Sequence, residues 1–457
     1  MRKFTITKSL IAIAMLAAAS TVQAQDQQPK AFGKTISPEN LTPDGKIRCA
    51  TTQYEEYLQE KYPNRETREE FQQSIEAKVQ ARKLQRLQKS GNSTNEIITI
   101  PVVVHVIHNG DAIGNNENIS DEQVLSQIEV LNQDFRRMLD TPGYNNDPVG
   151  ADIEIEFCLA QIDPDGNPTT GIDRIEINET SWTMFECEEE LKPDTYWTPT
   201  MYMNIWVCNL APDEMLLGYA QFPNNSGLEG AEDYYGPANT DGVVISYQYF
   251  GSEDIYEDGE YGYPYNKGRT TTHEVGHFFG LEHIWGLGAA NTNCNSTDFC
   301  DDTPESNGPN ADCVQHFSCG SYDMIENYMD YTIDECMNIF TLDQKDRIQT
   351  TLENAMRRKT LPDSTVCGIT AGTEDFRLLN GINIYPNPAQ DVLNIAVANG
   401  ELPDAYAIYN SLGQSVANVK VTGEANLSVN TSAYSDGIYF IKIDKGTQSK
   451  TLKFVKN

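Results

Sequence analysis

Basic residues are scarce in this chain of 457 residues, where 33 lysines and arginines stand against 67 aspartates and glutamates. The formal net charge of −34 argues against nucleic acid or an anionic membrane as a partner, because both would repel the protein. Long apolar runs are equally rare, and beyond the N-terminus no stretch is long enough to span a bilayer. The hydrophobic content of 39% is nevertheless ordinary, so the sequence predicts a globular protein.

The N-terminal stretch "MRKFTITKSLIAIAMLAAASTVQAQ" has a basic start, a short apolar run and then Val22, Gln23 and Ala24. This order predicts a secretory signal peptide that is cleaved after Ala24. A membrane anchor is the alternative, but the apolar run is short and rich in small residues. We therefore expect a mature protein without a membrane span, exported through the periplasm to the medium or the cell surface. Export also favours disulfides among the ten cysteines.

Histidine is rare as well, yet three of the six histidines lie in "HEVGHFFGLEH", residues 273–283. His273 and His277 are four residues apart, so on a helix they share one face, one turn apart. Gly280 can adopt a positive φ, end the helix and turn the chain, which lets His283 return as a third ligand. Three imidazoles with a fourth position left for water are typical of a catalytic zinc site.

Glu274 follows the first of these histidines and lies beside the same helix face. It can take a proton from water while zinc polarises a scissile carbonyl, and then pass the proton to the leaving amine. The pattern therefore predicts peptide hydrolysis without a covalent intermediate. Thr271 and Glu274 also fit a capping box at the helix start. The alternative is that these histidines bind no metal and are simply buried in a core or exposed, but their fixed spacing disfavours it.

The stretch resembles the metzincin motif HExxHxxGxxH, and "NYMDY" and "CMNIFT" downstream resemble the pappalysin (cytophagalysin) family of metzincin metallopeptidases. Similarity in "IPVVVHVI", "GYAQFP", "YNKGRTTTHE" and "DDTPE" extends the resemblance over most of residues 97–350. It implies an α/β metzincin catalytic domain, with a mixed twisted sheet plus helices, a zinc helix and a methionine turn. A small all-β sandwich is expected to follow it.

The same resemblance implies roles for single residues. Met329 would form the apolar floor under the zinc, and Tyr331 would hydrogen-bond the transition-state oxyanion or swing away from the metal. "GYAQFP" would lie near the edge strand that aligns an extended substrate. One departure is Glu282, directly before the third ligand, where relatives usually carry a neutral residue. This glutamate leaves the zinc assignment intact but alters the electrostatic field near the third ligand.

The family's usual preference for a basic side chain after the scissile bond points to Asp334 and Glu335 as pocket carboxylates. Solvated loop acids are the alternative. "DFCDDTPES" resembles the relatives' calcium loop, which makes Asp298, Asp302 and Thr303 candidate ligands for structural calcium. Plain surface acids remain the alternative for these residues.

Five cysteines crowd residues 294–336, which follow the zinc helix and include the methionine turn. The resemblance suggests two disulfides there, Cys294–Cys319 and Cys313–Cys336, although five cysteines for two bonds leave the pairing open. Further upstream, "KIRCATTQ" resembles the stretch of pappalysin precursors that holds a cysteine switch. The thiolate of Cys49 would occupy the fourth position on zinc and keep the precursor latent. A disulfide of Cys49 is the alternative, because ten cysteines can all pair.

Near the C-terminus, short alternating segments separated by turns predict an all-β sandwich. "IYPNPAQDVLNI", "DGIYFIKI" and "KTLKFVKN" resemble the sorting domains of type IX secretion cargo, which implies that this machinery is a partner. A carbohydrate- or protein-binding β-domain is the alternative. The expected organisation is signal peptide 1–24, pro-region 25–95, zinc peptidase domain 96–360, linker 361–375 and sorting domain 376–457.

The sequence therefore predicts a secreted zinc metalloendopeptidase, made as a latent precursor and acting on proteins and peptides. Two other classes compete with this interpretation. One is a surface adhesin that uses the metzincin scaffold for binding, and the other is a zinc enzyme with a non-protein substrate.

Overall fold

The computed structural model describes residues 28–88, 97–212, 214–224, 237–287, 294–367, 383–397, 402–410, 414–445 and 448–457. The predicted signal peptide lies outside these ranges, as do the end of the predicted pro-region and most of the predicted linker. The chain divides into two compact units between residues 368 and 369, and each unit is described by itself. None of the described helices combines the length and apolar character that a membrane crossing requires.

A mixed sheet organises the first unit. Its strands are β1 Ile98–His108, β2 Ile155–Leu159, β3 Ile172–Glu176, β4 Met203–Cys208, β5 Gly218–Ala220 and β6 Gly242–Ser246. The order is β2–β1–β4–β6–β5, and β3 also pairs with β1. The described pairs are parallel except at the edge, where β5 runs antiparallel to β6. Strand β1 is buried almost throughout, as expected of a β-branched strand covered on both faces.

The main helices of this unit are α1 Thr51–Lys61, α2 Arg68–Gln88, α3 Asp121–Phe135, α4 Arg269–Phe278 and α5 Leu342–Asn354. Shorter helical turns are Pro38–Asn40, Met184–Glu186, Cys187–Leu191, Lys192–Thr195, Ala238–Thr240, Tyr247–Tyr249 and Leu361–Asp363. Lys30–Ala31 pairs with Lys34–Thr35, and Phe317–Ser318 pairs with Ser321–Tyr322. Ser120 caps α3 by accepting a hydrogen bond from the Gln123 backbone at 3.1 Å.

Two apolar cores flank the sheet. The first contains side chains of α3, α4 and the methionine turn, including Phe135, Phe279 and Met329. The second brings upstream residues such as Phe32 and Tyr54 together with residues of the central strands and of β5. The segment before residue 88 is therefore built into the first unit rather than attached to its surface.

The predicted linker begins too early. Leu361 and Val366 are buried, and Cys367 is disulfide-bonded to Cys158 of strand β2. Residues 361–367 thus belong to the first unit, because apolar burial and a covalent bond hold them there. This disulfide was not predicted, since the two cysteines lie far apart in sequence.

The second unit is all-β. Its strands are β7 Asn383–Tyr385, β8 Val392–Ala396, β9 Ala405–Asn410, β10 Ser415–Lys420, β11 Ser428–Asn430, β12 Gly437–Lys445 and β13 Gln448–Lys456. They form two antiparallel sheets, ordered β7–β8–β11 and β10–β9–β12–β13. Leu393 from one sheet and Ile441 from the other share one apolar core, which confirms the predicted all-β fold.

Candidate metal centre

Helix α4 carries two of the three clustered histidines, and it is buried along its whole length. It begins after Gly268, whose φ is +80°, and Thr271 lies within its first turn. The Thr271 hydroxyl donates to Gln127 Oε1 at 2.9 Å, so the predicted capping box with Glu274 is wrong. The helix is held instead by Asp134, which pairs with Arg269 at 3.1 Å.

The helix ends as its sequence predicts. Gly280 has a φ of +87°, a conformation that is strained for any other residue. Its N–H donates to the His277 carbonyl at 2.9 Å, and the Leu281 N–H donates to the Gly276 carbonyl at 3.0 Å. This turn reverses the chain and brings His283 back beside the helix.

The three imidazole rings converge through their Nε2 atoms. The Nε2 atom of His277 lies 3.2 Å from that of His273 and 3.1 Å from that of His283. His273 Nδ1 donates to the Tyr328 carbonyl and His277 Nδ1 to the Leu281 carbonyl, both at 2.7 Å. A carbonyl can only accept, so each Nδ1 carries the proton and two Nε2 lone pairs face each other.

A cation bound between the rings would remove this repulsion between lone pairs. Burial lowers the pKa of His277 to about 3 and holds that of the other two imidazoles well below the usual range, so all three are neutral. The buried thiol of Cys49 joins the three histidines, and the four ligand atoms lie within 4.8 Å of one another. Three imidazoles and one sulfur fit tetrahedral zinc.

The methionine turn supports the histidines from below. Met329 is fully buried, and its Sδ lies 2.5 Å from where a Cβ on Gly276 would be. The helix can therefore rest on the thioether only because residue 276 is glycine. The Tyr331 ring lies 4.9 Å from the His283 ring and 5.7 Å from the His273 ring, between centroids.

Glu274 has no solvent exposure, and burial raises its pKa to about 7. Its Oε2 accepts from the Thr51 hydroxyl at 2.9 Å and from the Cys49 thiol at 3.4 Å. Within the described residues, its Oε1 has no hydrogen-bond partner. The carboxylate thus lies among the metal-type ligands, with one oxygen covered by the upstream segment.

That segment also follows the edge strand. Ile47 exchanges two backbone hydrogen bonds with the chain just before β5, donating to the Met215 carbonyl at 2.8 Å and accepting from the Leu217 N–H at 3.0 Å. The Ala50 N–H then donates to the Gly218 carbonyl at 3.1 Å. An edge strand binds extended peptides through these same backbone groups, so the upstream chain occupies the position that such a peptide would take.

Arg48 is a site residue that the sequence analysis missed, although its position next to Cys49 was a signal. Its guanidinium is fully buried, lies 3.5 Å from Asp334 Oδ1 and donates to the Thr270 hydroxyl at 2.5 Å. Asp334 Oδ2 accepts from the backbone of Lys267 at 2.9 Å. Of the two predicted pocket acids, Asp334 therefore faces an arginine, whereas Glu335 is exposed.

The cysteine-rich loop contains both suggested disulfides, Cys294–Cys319 and Cys313–Cys336. Cys300 is a buried free thiol.

In the suggested calcium loop, Asp298 Oδ2 accepts from the Thr303 hydroxyl at 2.7 Å, and its Oδ1 accepts from the Cys300 N–H at 3.1 Å. Asp302 Oδ1 is buried and has no hydrogen-bond partner in the described chain. Of the two candidate aspartates, Asp302 is thus the one with a buried carboxylate oxygen that accepts no hydrogen bond from the described residues.

The zinc-type ligands, the glycine turn and the methionine turn together define a metzincin metallopeptidase. Residues 187–353 match the family model described as pregnancy-associated plasma protein-A, and residues 383–457 match the secretion system C-terminal sorting domain. The chain belongs to the pappalysin family of zinc metallopeptidases. The sorting domain and the extracellular relatives indicate a protein that is secreted or held at the cell surface, and family membership favours the peptidase over the two competing classes.

Individual relatives agree with this assignment. An extracellular metalloprotease of Colletotrichum graminicola is 31% identical over 255 residues, which cover 55% of this chain and 75% of the relative. Mature mirolysin of Tannerella forsythia, solved with a cleaved peptide, is 41% identical, with a TM-score of 0.50 and coverage of 59% of this chain and 96% of that one. Promirolysin of the same organism is 36% identical, with a TM-score of 0.53 and coverage of 68% and 96%.

Proposed function

We propose that this chain is the latent precursor of a secreted zinc endopeptidase that cleaves before arginine or lysine. His273, His277 and His283 would hold the zinc, which when bound supplies a Lewis acid for the scissile carbonyl and for water. The observation that carries the proposal is the convergence of three Nε2 atoms beside the buried Glu274 carboxylate.

Glu274 would act as the general base. Its pKa of about 7 suits a group that must both accept and release a proton near neutral pH. In the precursor, Thr51 and Cys49 cover one of its oxygens, and their departure frees that oxygen for water. Tyr331 would donate its hydroxyl to the oxyanion that develops on the carbonyl, and Met329 would keep the ligand cage in place.

Latency follows from what the upstream segment occupies. Cys49 would take the fourth ligand position, because its sulfur lies within 4.8 Å of the three imidazole nitrogens. Ile47 and Ala50 bond backbone groups at the start of the edge strand and just before it. This segment, with the Cys49 thiol, must leave before a substrate peptide can reach the three histidines. We therefore propose that maturation removes the pro-region 25–95. The similarity to promirolysin, a precursor, supports this order of events.

The preference for a basic side chain rests on Arg48. The precursor places this guanidinium in a fully buried pocket against Asp334, directly beside the metal-type ligands. Removal of the segment would leave Asp334 at the bottom of an empty pocket, where an arginine or lysine of the substrate restores the ion pair. Glu335, which is exposed, would contribute little.

Peptide-library cleavage by the matured protein tests the proposal. We expect arginine or lysine directly after the scissile bond, and loss of hydrolysis when a chelator removes the metal. Asp334→Asn should abolish the basic preference, whereas Glu335→Gln serves as the matched control and should keep it. A matured protein that hydrolyses no peptide, or an Asp334→Asn variant with an unchanged preference, contradicts the proposal.

We also propose that a calcium ion binds near Asp298, Asp302 and Thr303, supported by the buried and unpartnered Asp302 Oδ1. Mild calcium chelation should then lower the thermal stability of the matured protein, and an unchanged melting temperature would count against the site.

A further inference from the structure

Glu282, the departure from the family pattern, has a fully buried side chain. Within the described chain, its carboxylate makes polar contacts with Arg68 alone, the first residue of α2. Arg68 Nε donates to Glu282 Oε1 at 3.1 Å, and a second guanidinium nitrogen forms an ion pair with Oε2. The same guanidinium lies over the Phe222 ring, 5.3 Å from its centroid. A carboxylate next to an aromatic face suits a guanidinium well.

The two halves of this contact belong to different parts of the precursor. Glu282 and Phe222 lie in the peptidase part, whereas Arg68 lies in the segment that we propose is removed. Thr52, which accepts from Arg68 Nη1 at 3.2 Å, is also upstream. A cleft of about 400 Å³ beside Arg68 is lined by nine residues of the upstream segment and by Leu287. Only Leu287 among them would remain.

Removal of the upstream segment would therefore take away the cation that Glu282 pairs with. A carboxylate that is left partly desolvated and unpaired is costly, so it favours binding of a new cation. Phe222 lies two residues beyond β5, the edge strand that begins at Gly218 beside Glu274. Along an extended chain, Phe222 is roughly 13 Å from Gly218, which corresponds to a few residues of a substrate lying beside β5.

We propose that Glu282 and Phe222 form a second cation subsite in the matured protein, which binds an arginine or lysine side chain a few positions away from the scissile bond. Arg68 occupies this subsite in the precursor, as Arg48 occupies the pocket of Asp334. The inference rests on the proposed function, and it assigns to Glu282 a selectivity that is separate from that of Asp334.

The test uses the matured protein, with an N-terminus beyond residue 88 verified by mass. Library cleavage identifies the position that selects a basic residue, and kcat/KM is then measured for peptides with arginine or its neutral isostere citrulline at that position. We expect arginine to be preferred by about tenfold or more, as for charge-assisted hydrogen bonds elsewhere. Glu282→Gln should bring the ratio close to one, and Phe222→Leu should lower it.

Glu353→Gln is the matched control, because Glu353 contacts another arginine of α2, Arg82, but its side chain is 64% exposed. It should leave the ratio unchanged. All variants should still prefer arginine or lysine directly after the scissile bond. That result would show that they fold and that the proposed function holds.

Two results overturn the inference and leave the proposed function standing. One is a wild-type profile with no basic preference beyond the residue after the scissile bond. The other is a basic preference at a more distant position that remains unchanged in the Glu282→Gln variant. A matured protein that hydrolyses no peptide overturns both proposals.

Discussion

The thiol of Cys49 lies 3.4 Å from Glu274 Oε2 and within 4.8 Å of the three imidazole nitrogens, so the proposed latency residue contacts the proposed general base beside the metal-type ligands. Burial and the charge of Glu274 raise the pKa of the thiol well above its usual value, whereas a bound metal would favour the thiolate. One side chain of the upstream segment would therefore block both the proposed fourth ligand position and the proposed general base.

Replacing Cys49 should weaken latency. We expect the Cys49→Ala precursor to mature faster than the wild-type precursor, because the fourth ligand position becomes open to water. The time course of precursor cleavage, followed by gel and by mass, measures this. Cys300→Ala removes another buried free thiol and should leave the time course unchanged. An inert and intact Cys49→Ala precursor would end the cysteine-switch account.

Glu274→Gln in the matured protein should keep the metal and lose turnover. The amide preserves the shape of the side chain but cannot accept a proton, so kcat/KM should fall by about 10²- to 10⁴-fold or more. Metal content measured on the same sample separates loss of the base from loss of zinc. Full activity in this variant is incompatible with the role proposed for Glu274.

The upstream helix α2 is held to the peptidase part by charge. Lys83 and Arg86 each lie 2.5 Å from an oxygen of Asp343, and Arg86 also lies 2.8 Å from Asp346. Replacing both basic residues with glutamine should speed maturation, as should about 1 M salt, where the Debye length is ~3 Å. The exposed Lys359→Gln is the control. If the wild type, the double variant and the Lys359→Gln control mature at equal rates at low salt, these charges do not contribute to holding α2 in place.

Asp330, in the methionine turn, predicts a pH dependence of stability. It is fully buried, and burial raises its pKa to about 7, although Asn310 donates to both of its oxygens at 2.8 Å. A carboxyl group whose folded-state pKa is raised stabilises the fold below about pH 4, and this stabilisation is lost as the pH rises toward 7.

We therefore expect Asp330→Asn to flatten the melting temperature of the precursor between pH 4 and about 7. The exposed Asp363→Asn should retain the wild-type slope. If the Asp330→Asn variant has that same slope, Asp330 ionises normally in the folded protein and the prediction is wrong.

Local spacing explains which features the sequence predicted. The three histidines and Gly280 lie in one short stretch whose geometry depends on helical periodicity and on one turn, so their convergence could be anticipated. The place of Met329 under the histidines was expected from the family resemblance alone. The C-terminal β-fold followed from alternation and turn residues.

Long-range pairings explain what the sequence did not reveal. Arg48 meets Asp334, Arg68 meets Glu282, and Cys158 meets Cys367 only after the chain has folded back on itself. No local pattern marks these partners. The helix α1 was also missed, because its N-cap Ala50 offers no side-chain hydrogen bond and its sequence is strongly polar.

Metal analysis of the purified, matured protein tests the central claim most directly. The account predicts one zinc ion per chain. It also predicts that the His277→Ala variant loses both the zinc ion and the ability to hydrolyse peptides. Matured protein that hydrolyses peptides while containing no transition metal would contradict the account.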